Sequence, residues 1–384
     1  MKLLSIVGAR PQFVKAALVS AAIERRNALT RSSLKIDHKL VHTGQHYEYN
    51  LAGVFFDQLP LRKPDYSLGV GSGPHGAQTG EMLKQLETVF FQEKPDMAVV
   101  YGDTNSTIAG AFAAAKLHIP VAHVEAGLRS FNRAMPEEMN RVTTDHLSDL
   151  LFCPTSTAVR NLRREGIRNG VVMAGDVMLD AVYHFRPLAA QRAALLEKLG
   201  VKPGMYVLAT IHRAENTDAV ERLENVLRVL ARLNKPVVFP MHPRLRDRLA
   251  QKKGGGDLRQ MLEASRQLRI IEPVSYLDML LLEENARVVL TDSGGVQKEA
   301  YFLGVPCLTL RDETEWVETL RNHWNRVVGT TPRKILPLAE SLWVRNGARP
   351  KGKPDLKQFG GGHAADRMIR SIVAFLKKGA TKSR

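Results

Sequence analysis

Short apolar runs separated by helix-length segments recur from one end of this 384-residue chain to the other. In the first half the runs are LLSIVG (3 to 8), KLVHTG (39 to 44), DMAVVYG (96 to 102), PVAHVE (120 to 125), LLFCP (150 to 154) and VVMAG (171 to 175). A second series follows with YVLATIH (206 to 212), PVVFPMH (236 to 242), LRIIEP (268 to 273), RVVLTD (287 to 292), PCLTL (306 to 310) and NRVVG (325 to 329). Strands joined through amphipathic helices build parallel sheets, because a parallel partner needs a crossover connection. The pattern predicts an α/β chain of two Rossmann-like domains joined near Gly175 to Pro187. The first covers residues 1–175 and is rejoined by a last helix at about 364–384; the second covers 176–362 and ends in the loop RPKGKPDLKQFGGG (349 to 362).

Ligands of such sheets sit at the carboxyl ends of strands, so the polar residues there carry the functional reading. GARPQFVK supplies Gly8, Arg10 and Lys15, with Pro11 suited to a first helical turn. GDTNST supplies Asp103, and HVEAGLRS supplies His123, Glu125 and Arg129. In MPEEMNR, Glu137 and Arg141 fall four apart, on one helix face. The second half contributes His212 and Arg213 from TIHRAEN, His242 from FPMHPR, and the stretch LTDSGGVQKEA (290 to 300). Ser293, Gly294 and Gly295 mark a strand-to-helix turn whose free N–H groups and helix dipole suit phosphate, with Glu299 about one turn further in to accept hydrogen bonds from sugar hydroxyls. Each position also has a purely structural alternative: Asp103 as a helix cap, Glu137 and Arg141 as a surface ion pair, His123 as a satisfied core residue.

Composition removes several function classes. The formal charge of +16 is partly gathered in RNLRREGIRNG (160 to 170), PRLRDRLAQKK (243 to 253) and KKGATKSR (377 to 384), without interleaved aromatics. No DNA or RNA module accompanies it, so the charge reads as solvated helix faces that steer a small anion, not as a nucleic-acid surface. Cys153 and Cys307 are the only cysteines and lie far apart, which argues against a disulfide framework and for a cytoplasmic protein. No apolar segment approaches the roughly 18 residues of a membrane span, and MKLLSIVGARPQFVK reads as a first strand, not a signal peptide. His42 and His46 flank a glycine turn without HExxH or an acidic loop, so no metal is expected. The first turn is GARPQF where a dinucleotide fold carries GxGxxG, so no nicotinamide cofactor is expected either.

GARPQFVKAA, VYGDTNST, HVEAGLRS, MPEEMNR, HRAEN and TDSGGVQKEA, in this order and at these separations, resemble the non-hydrolysing UDP-N-acetylglucosamine 2-epimerases from residue 3 to about 330. The resemblance implies a GT-B architecture, two Rossmann-like domains with an interdomain cleft, the last helix packed on the first domain, a homodimer and no cofactor. It implies a UDP-sugar substrate surrounded by Arg10, Lys15, Asp103, Glu125, Glu137, Arg141 and His212, with Asp103, Glu125, Glu137 and His212 catalytic. Gln45 and His46 would belong to the wall of the first domain, Ser293, Gly294 and Gly295 would hold phosphate, Glu299 the ribose, and the turn Pro273 to Tyr276, through Val274 and Tyr276, the uracil. The chain departs from the family at GVGSGPHG (69 to 76), where bacterial relatives carry a glutamine-rich loop that helps hold a second, activating substrate molecule.

The chemistry also follows from the substrate class. Carbon 2 of an N-acetylhexosamine has no adjacent carbonyl, so its proton is not removed and returned directly. Expelling UDP from carbon 1 while a base takes that proton gives a 2-acetamidoglucal, and re-addition of UDP with protonation on the opposite face inverts the centre. Cations suit the leaving diphosphate and carboxylates the proton transfers. Within the family the sugar is either N-acetylglucosamine or a diacetamido uronic acid; a hydrolysing relative, which would release free N-acetylmannosamine, and a GT-B glycosyltransferase using a UDP-sugar donor remain alternatives.

Overall fold

The computed structural model describes every residue except 32–33, 46–61, 251–254, 345–349 and 383–384. Among the described residues one sheet contains β1 (Lys2–Val7), β2 (Asp37–His42), β3 (Tyr66–Ser67), β4 (Met97–Tyr101), β5 (Val121–Val124), β6 (Leu150–Cys153) and β7 (Val171–Met173). The other contains β8 (Val207–Thr210), β9 (Val237–Pro240), β10 (Leu268–Ile271), β11 (Val288–Thr291), β12 (Cys307–Thr309) and β13 (Asn325–Val327). Strand pairing is parallel throughout. Each predicted run contains a strand; β3 was not anticipated, since Tyr66 and Ser67 form no apolar run.

The strand orders are β3-β2-β1-β4-β5-β6-β7 and β10-β9-β8-β11-β12-β13. Both reverse direction of winding once, between β1 and β4 and between β8 and β11, and such switch points open a crevice at the strand ends. Central strands are buried on both faces, as β4 illustrates with Met97, Ala98, Val99, Val100 and Tyr101 all inaccessible. The helix Asn105–Lys116 carries small residues because it lies close on the sheet: a Cβ on Gly110 would stand 3.0 Å from Val100 and 3.2 Å from Ile6.

By internal contacts the chain divides into Met1–Ala181 with Leu356–Arg384, and Val182–Asp355. The first unit therefore closes with the helix Ala364–Lys382. That helix packs on Arg10–Ala28, where Arg25 pairs with Asp366 at 2.9 Å. Its first N–H groups, those of Ala364 and Ala365, donate to Asp180 at 3.0 and 2.9 Å. The second unit is organised around β8, β9 and β11 with Leu223, Val226, Leu227 and Leu230 of the helix Val220–Arg232.

Candidate active site

At the switch point of the first unit, Gln12 joins the ends of β1 and β4. Its Oε1 accepts the Gly8 and Ala9 N–H groups at 2.7 and 3.0 Å, and its Nε2 donates to the Tyr101 carbonyl at 2.6 Å. Only glycine fits beside it at position 8, since a Cβ there would lie 2.0 Å from Ser106 Oγ and 2.2 Å from Thr43 Oγ1. Ser106 in turn donates its N–H and hydroxyl to Gln45 Oε1 at 3.1 and 2.7 Å, which fixes Gln45 at the same strand ends.

Three sequence motifs meet here. Lys15 Nζ forms an ion pair with Glu125 Oε2, both side chains more than nine-tenths buried. Glu125 follows β5 in a left-handed conformation with φ 76°, a geometry costly for a side chain of its kind and concentrated at functional sites. Gly102 lies against this pair: a Cβ there would fall 3.5 Å from Lys15 Nζ and 3.7 Å from Glu125 Oε2. The next residue, Asp103, accepts from Arg141 Nη2 at 2.5 Å. Asp103 is thus no helix cap; the cap is Thr104. Arg141 is buried rather than on the surface, and its Nη1 donates to Glu138 at 3.0 Å. Glu138 also accepts Ser130 N–H and Oγ–H and Phe131 N–H, each at 2.9 Å, and so secures the loop before the helix Pro136–Leu147. Glu137 is half-buried in the first turn of that helix.

Behind these groups His123 is the satisfied core histidine that the sequence allowed. Its Nδ1 meets Asp145 Oδ1 at 2.7 Å and its Nε2 meets the Gly102 carbonyl at 2.7 Å, with no solvent access. Asp145 Oδ2 accepts from Gly127 N at 3.0 Å and Arg129 Nη1 at 2.7 Å. Burial alone would raise the Asp145 carboxyl, but the His123 hydrogen bond and the Arg129 guanidinium outweigh it and hold the group below its ordinary range.

In the second unit the turns after β8 and β11 are held by Asp292, which is fully buried. Its carboxylate accepts the His212 N–H at 3.1 Å, the Arg213 N–H at 3.1 Å and Asn216 Nδ2 at 3.1 Å. His212 Nδ1 lies 3.3 Å from Asp292 Oδ1 while its ring stays partly exposed, tilted against His242 with centroids 5.9 Å apart. Ser293 caps the helix Gly294–Leu303 through Val296 N, which leaves Gly294 and Gly295 at its positive end. Gly294 is required by a close approach, because a Cβ would stand 2.5 Å from Glu315 Oε1. Glu315 is neutralised by the buried Arg311 at 2.8 Å. Glu299 is buried in the same helix. Val274 and the buried Tyr276 follow the edge strand β10, where Ser275 caps the helix Tyr276–Glu284 and accepts Arg192 Nη1 at 2.7 Å. Burial pushes the nearby Glu215 carboxyl up despite Arg311 and Arg213.

Asp103, Glu125, Arg141, Lys15 and Gln45 therefore gather in one unit, and His212, Ser293, Gly294, Gly295 and Glu299 in the other. Arg10 opens the helix Arg10–Ala28; its side chain and the whole of His46 lie outside the described residues. Sequence reasoning missed Gln12, Glu138, Asp145, Asp292 and the Arg311–Glu315 pair. Three of these stood in motifs already noted, Gln12 in GARPQFVK, Glu138 as the second acid of PEE and Asp292 as the acid before SGG. Among the described residues no group of three or more His, Cys, Asp and Glu is placed to hold a metal, and no helix is long and apolar enough to cross a membrane.

Two parallel Rossmann-like units with ligand-type turns at their switch points define a protein of the GT-B class. The family model described as UDP-N-acetylglucosamine 2-epimerase matches residues 27–373. The chain is 51% identical to the UDP-N-acetylglucosamine 2-epimerase homolog of Methanococcus maripaludis, over 88% of this chain and 91% of that one. It is 46% identical to the UDP-2,3-diacetamido-2,3-dideoxy-D-glucuronate 2-epimerase of Pseudomonas aeruginosa, over 97% of this chain and 99% of that one. The crystal structure of the Methanocaldococcus jannaschii UDP-GlcNAc 2-epimerase in complex with UDP-GlcNAc and UDP is similar with a TM-score of 0.86 at 43% identity, covering 98% of this chain and 100% of that one. The chain belongs to the UDP-N-acetylglucosamine 2-epimerase family and is an isomerase.

Proposed function

We propose that this epimerase interconverts UDP-N-acetylglucosamine and UDP-N-acetylmannosamine by elimination and re-addition of UDP. The observation that carries the reading is the cluster of Asp103, Glu125 and Arg141 with Lys15 at the first unit's switch point, in a chain whose solved relative is described with UDP-GlcNAc and UDP bound. A carboxylate takes the carbon 2 proton; the carbon 1–oxygen bond breaks with its electrons passing to the diphosphate; a carbon 1–carbon 2 double bond forms. UDP oxygen then re-adds to carbon 1 while a second acid protonates carbon 2 from the opposite face. Asp103, Glu125 and Glu137 share the proton transfers and sugar positioning, since one carboxylate does not serve both faces. Arg10, Lys15, Arg141 and His212 balance charge on the departing diphosphate, Ser293, Gly294 and Gly295 hold its phosphate, Glu299 the ribose, and Val274 and Tyr276 the uracil. Gln45 and His46 complete the first unit's share. The protein works as a cytoplasmic homodimer in making precursors of cell-surface polysaccharide.

The second reading, a UDP-diacetamido uronate as substrate, is favoured by the 46% identity to the Pseudomonas aeruginosa enzyme along nearly the whole chain. Incubating each UDP-sugar alone in heavy water and following products by NMR tests both. The accepted substrate gains deuterium at carbon 2 and keeps UDP on the sugar. Release of free N-acetylmannosamine, or no deuterium with UDP-N-acetylglucosamine, overturns the first reading.

A further inference from the structure

We propose that His123, braced by Asp145, is a positioning residue that sets the spacing between Asp103 and Glu125. The inference rests on the carboxylate assignment above and extends it to groups that touch no substrate. Asp103 and Glu125 follow neighbouring strands, β4 and β5, which pair as Val100 with His123 and Tyr101 with Val124. Backbone pairing ends at this point: beyond it the Gly102 N–H still reaches the Val124 carbonyl at 2.9 Å, but both chains then turn through left-handed residues, Gly102 at φ 63° and Glu125 at φ 76°. Left-handed turns on both strands leave the two carboxylates without a ladder to fix their separation.

The imidazole replaces that ladder. A carbonyl oxygen only accepts, so His123 Nε2 donates to Gly102 O at 2.7 Å and fixes the peptide that leads into Asp103. On the other side Asp145 takes Nδ1 at 2.7 Å and the Gly127 N–H at 3.0 Å, two residues past Glu125. One buried dyad thus holds the backbone on both sides of the carboxylate pair. Arg129, bonded to Asp145 at 2.7 Å and to Glu165 through Nε and Nη2, both at 2.7 Å, keeps the carboxylate in place. Gly102 also lies against Lys15 and Glu125, so a shift of this residue reaches the ion pair itself.

The two amide replacements separate the two contacts. In His123→Gln the amide nitrogen stands where Nε2 was and still donates to Gly102; in His123→Asn it stands where Nδ1 was and meets only Asp145. The expected result is a kcat about 100-fold below the parent for His123→Asn, the scale of a misplaced reacting group, and within about 10-fold for His123→Gln. KM and UDP affinity stay at parent values in both, with equal losses in Tm. Asp145→Asn, which retains the shape but loosens the brace, falls between them. Parent-like kcat in His123→Asn, equal loss in the two His123 variants, or a rise in KM in place of the fall in kcat overturns the proposal. Asp103→Asn and Glu125→Gln are measured alongside. If those retain parent turnover, the carboxylate assignment is wrong; if they are slow while His123→Asn is not, only the positioning role is.

Discussion

Lys15 and Glu125 form a buried ion pair within the first unit, the lysine from the helix after β1 and the glutamate from the end of β5. Removing either partner strands a buried charge, and such half-broken pairs are strongly unfavourable. In the proposed mechanism the lysine holds Glu125 through this pair and also lends charge to the diphosphate. Lys15→Met and Glu125→Gln are each expected to lower turnover by about 100-fold or more. The double variant is expected to be little slower than Glu125→Gln alone, because both changes disable the same carboxylate. Additive losses in steady-state kinetics would separate the two residues.

Asp103→Asn and Glu137→Gln are expected to slow epimerisation by a similar factor of about 100 with UDP affinity nearly unchanged. At least one amide variant among Asp103, Glu125 and Glu137 is expected to release UDP and 2-acetamidoglucal faster than it forms the epimer, since the intermediate waits for its proton. Product ratios by NMR measure this; epimerisation near the parent rate in all three removes the assignment.

Glu299 is buried in the helix that begins at Gly294, and the role proposed for it, acceptor for ribose hydroxyls, predicts a UDP defect without a chemical one. Glu299→Ala is expected to weaken UDP by roughly 1 to 3 kcal/mol, the range for charged hydrogen bonds. Calorimetry with UDP alone reads it, and unchanged affinity would remove the residue from the site.

Asp292 satisfies two backbone N–H groups and an amide from positions that the chain separates widely. Asp292→Ala leaves those donors buried, with an expected loss on the order of 2 kcal/mol or more in stability. UDP binding should weaken with it, because the turn containing Ser293 loses its anchor to the turn containing His212. Parent-like denaturant midpoints would contradict this.

His38 gives the fold an acid-sensitive component. Burial lowers its pKa from 6.5 to about 4, with Arg62 adding to the effect, and the neutral ring lies 2.9 Å from Ser5 Oγ and 3.4 Å from Ser20 Oγ. The folded value is below the unfolded one, so the unfolded chain takes up a proton first as pH falls. Stability from this group is complete above about 6.5 and is lost down to about 4. The total is roughly 3 kcal/mol. Thermal unfolding across that window should show a slope that His38→Gln reduces.

Periodicity sufficed to place the strands other than β3 along the chain because parallel strands buried on both faces are written as unbroken apolar runs, as in MAVVY. Tyr66 and Ser67 escaped because a two-residue edge strand carries no such run. Positions of chemical residues were legible where a strand ended, which located Asp103, Glu125, His212 and Ser293. Their partners were not, since Arg141 reaches Asp103 across 38 residues and Asp292 reaches His212 across 80. MPEEMNR offers two acids near Arg141, and nothing in it marks Glu138, which in the fold accepts from Arg141 Nη1 at 3.0 Å. Gln12 carries no sign of its role in GARPQF; three of its five side-chain hydrogen bonds, to Tyr101, Thr104 and Thr107, depend on a second strand end that local sequence does not specify.

Asp180 accepts the first N–H groups of a helix that begins 184 residues later, and everything between Val182 and Asp355 is a separate unit. During synthesis the whole second unit is translated while Asp180 still lacks its helix. The second sheet can thus be assembled inside a first unit that remains unfinished until the last segment emerges. Chains truncated before Ala364 would contain the whole sequence of the second unit yet leave open the face of Arg10–Ala28 on which Ala364–Lys382 packs.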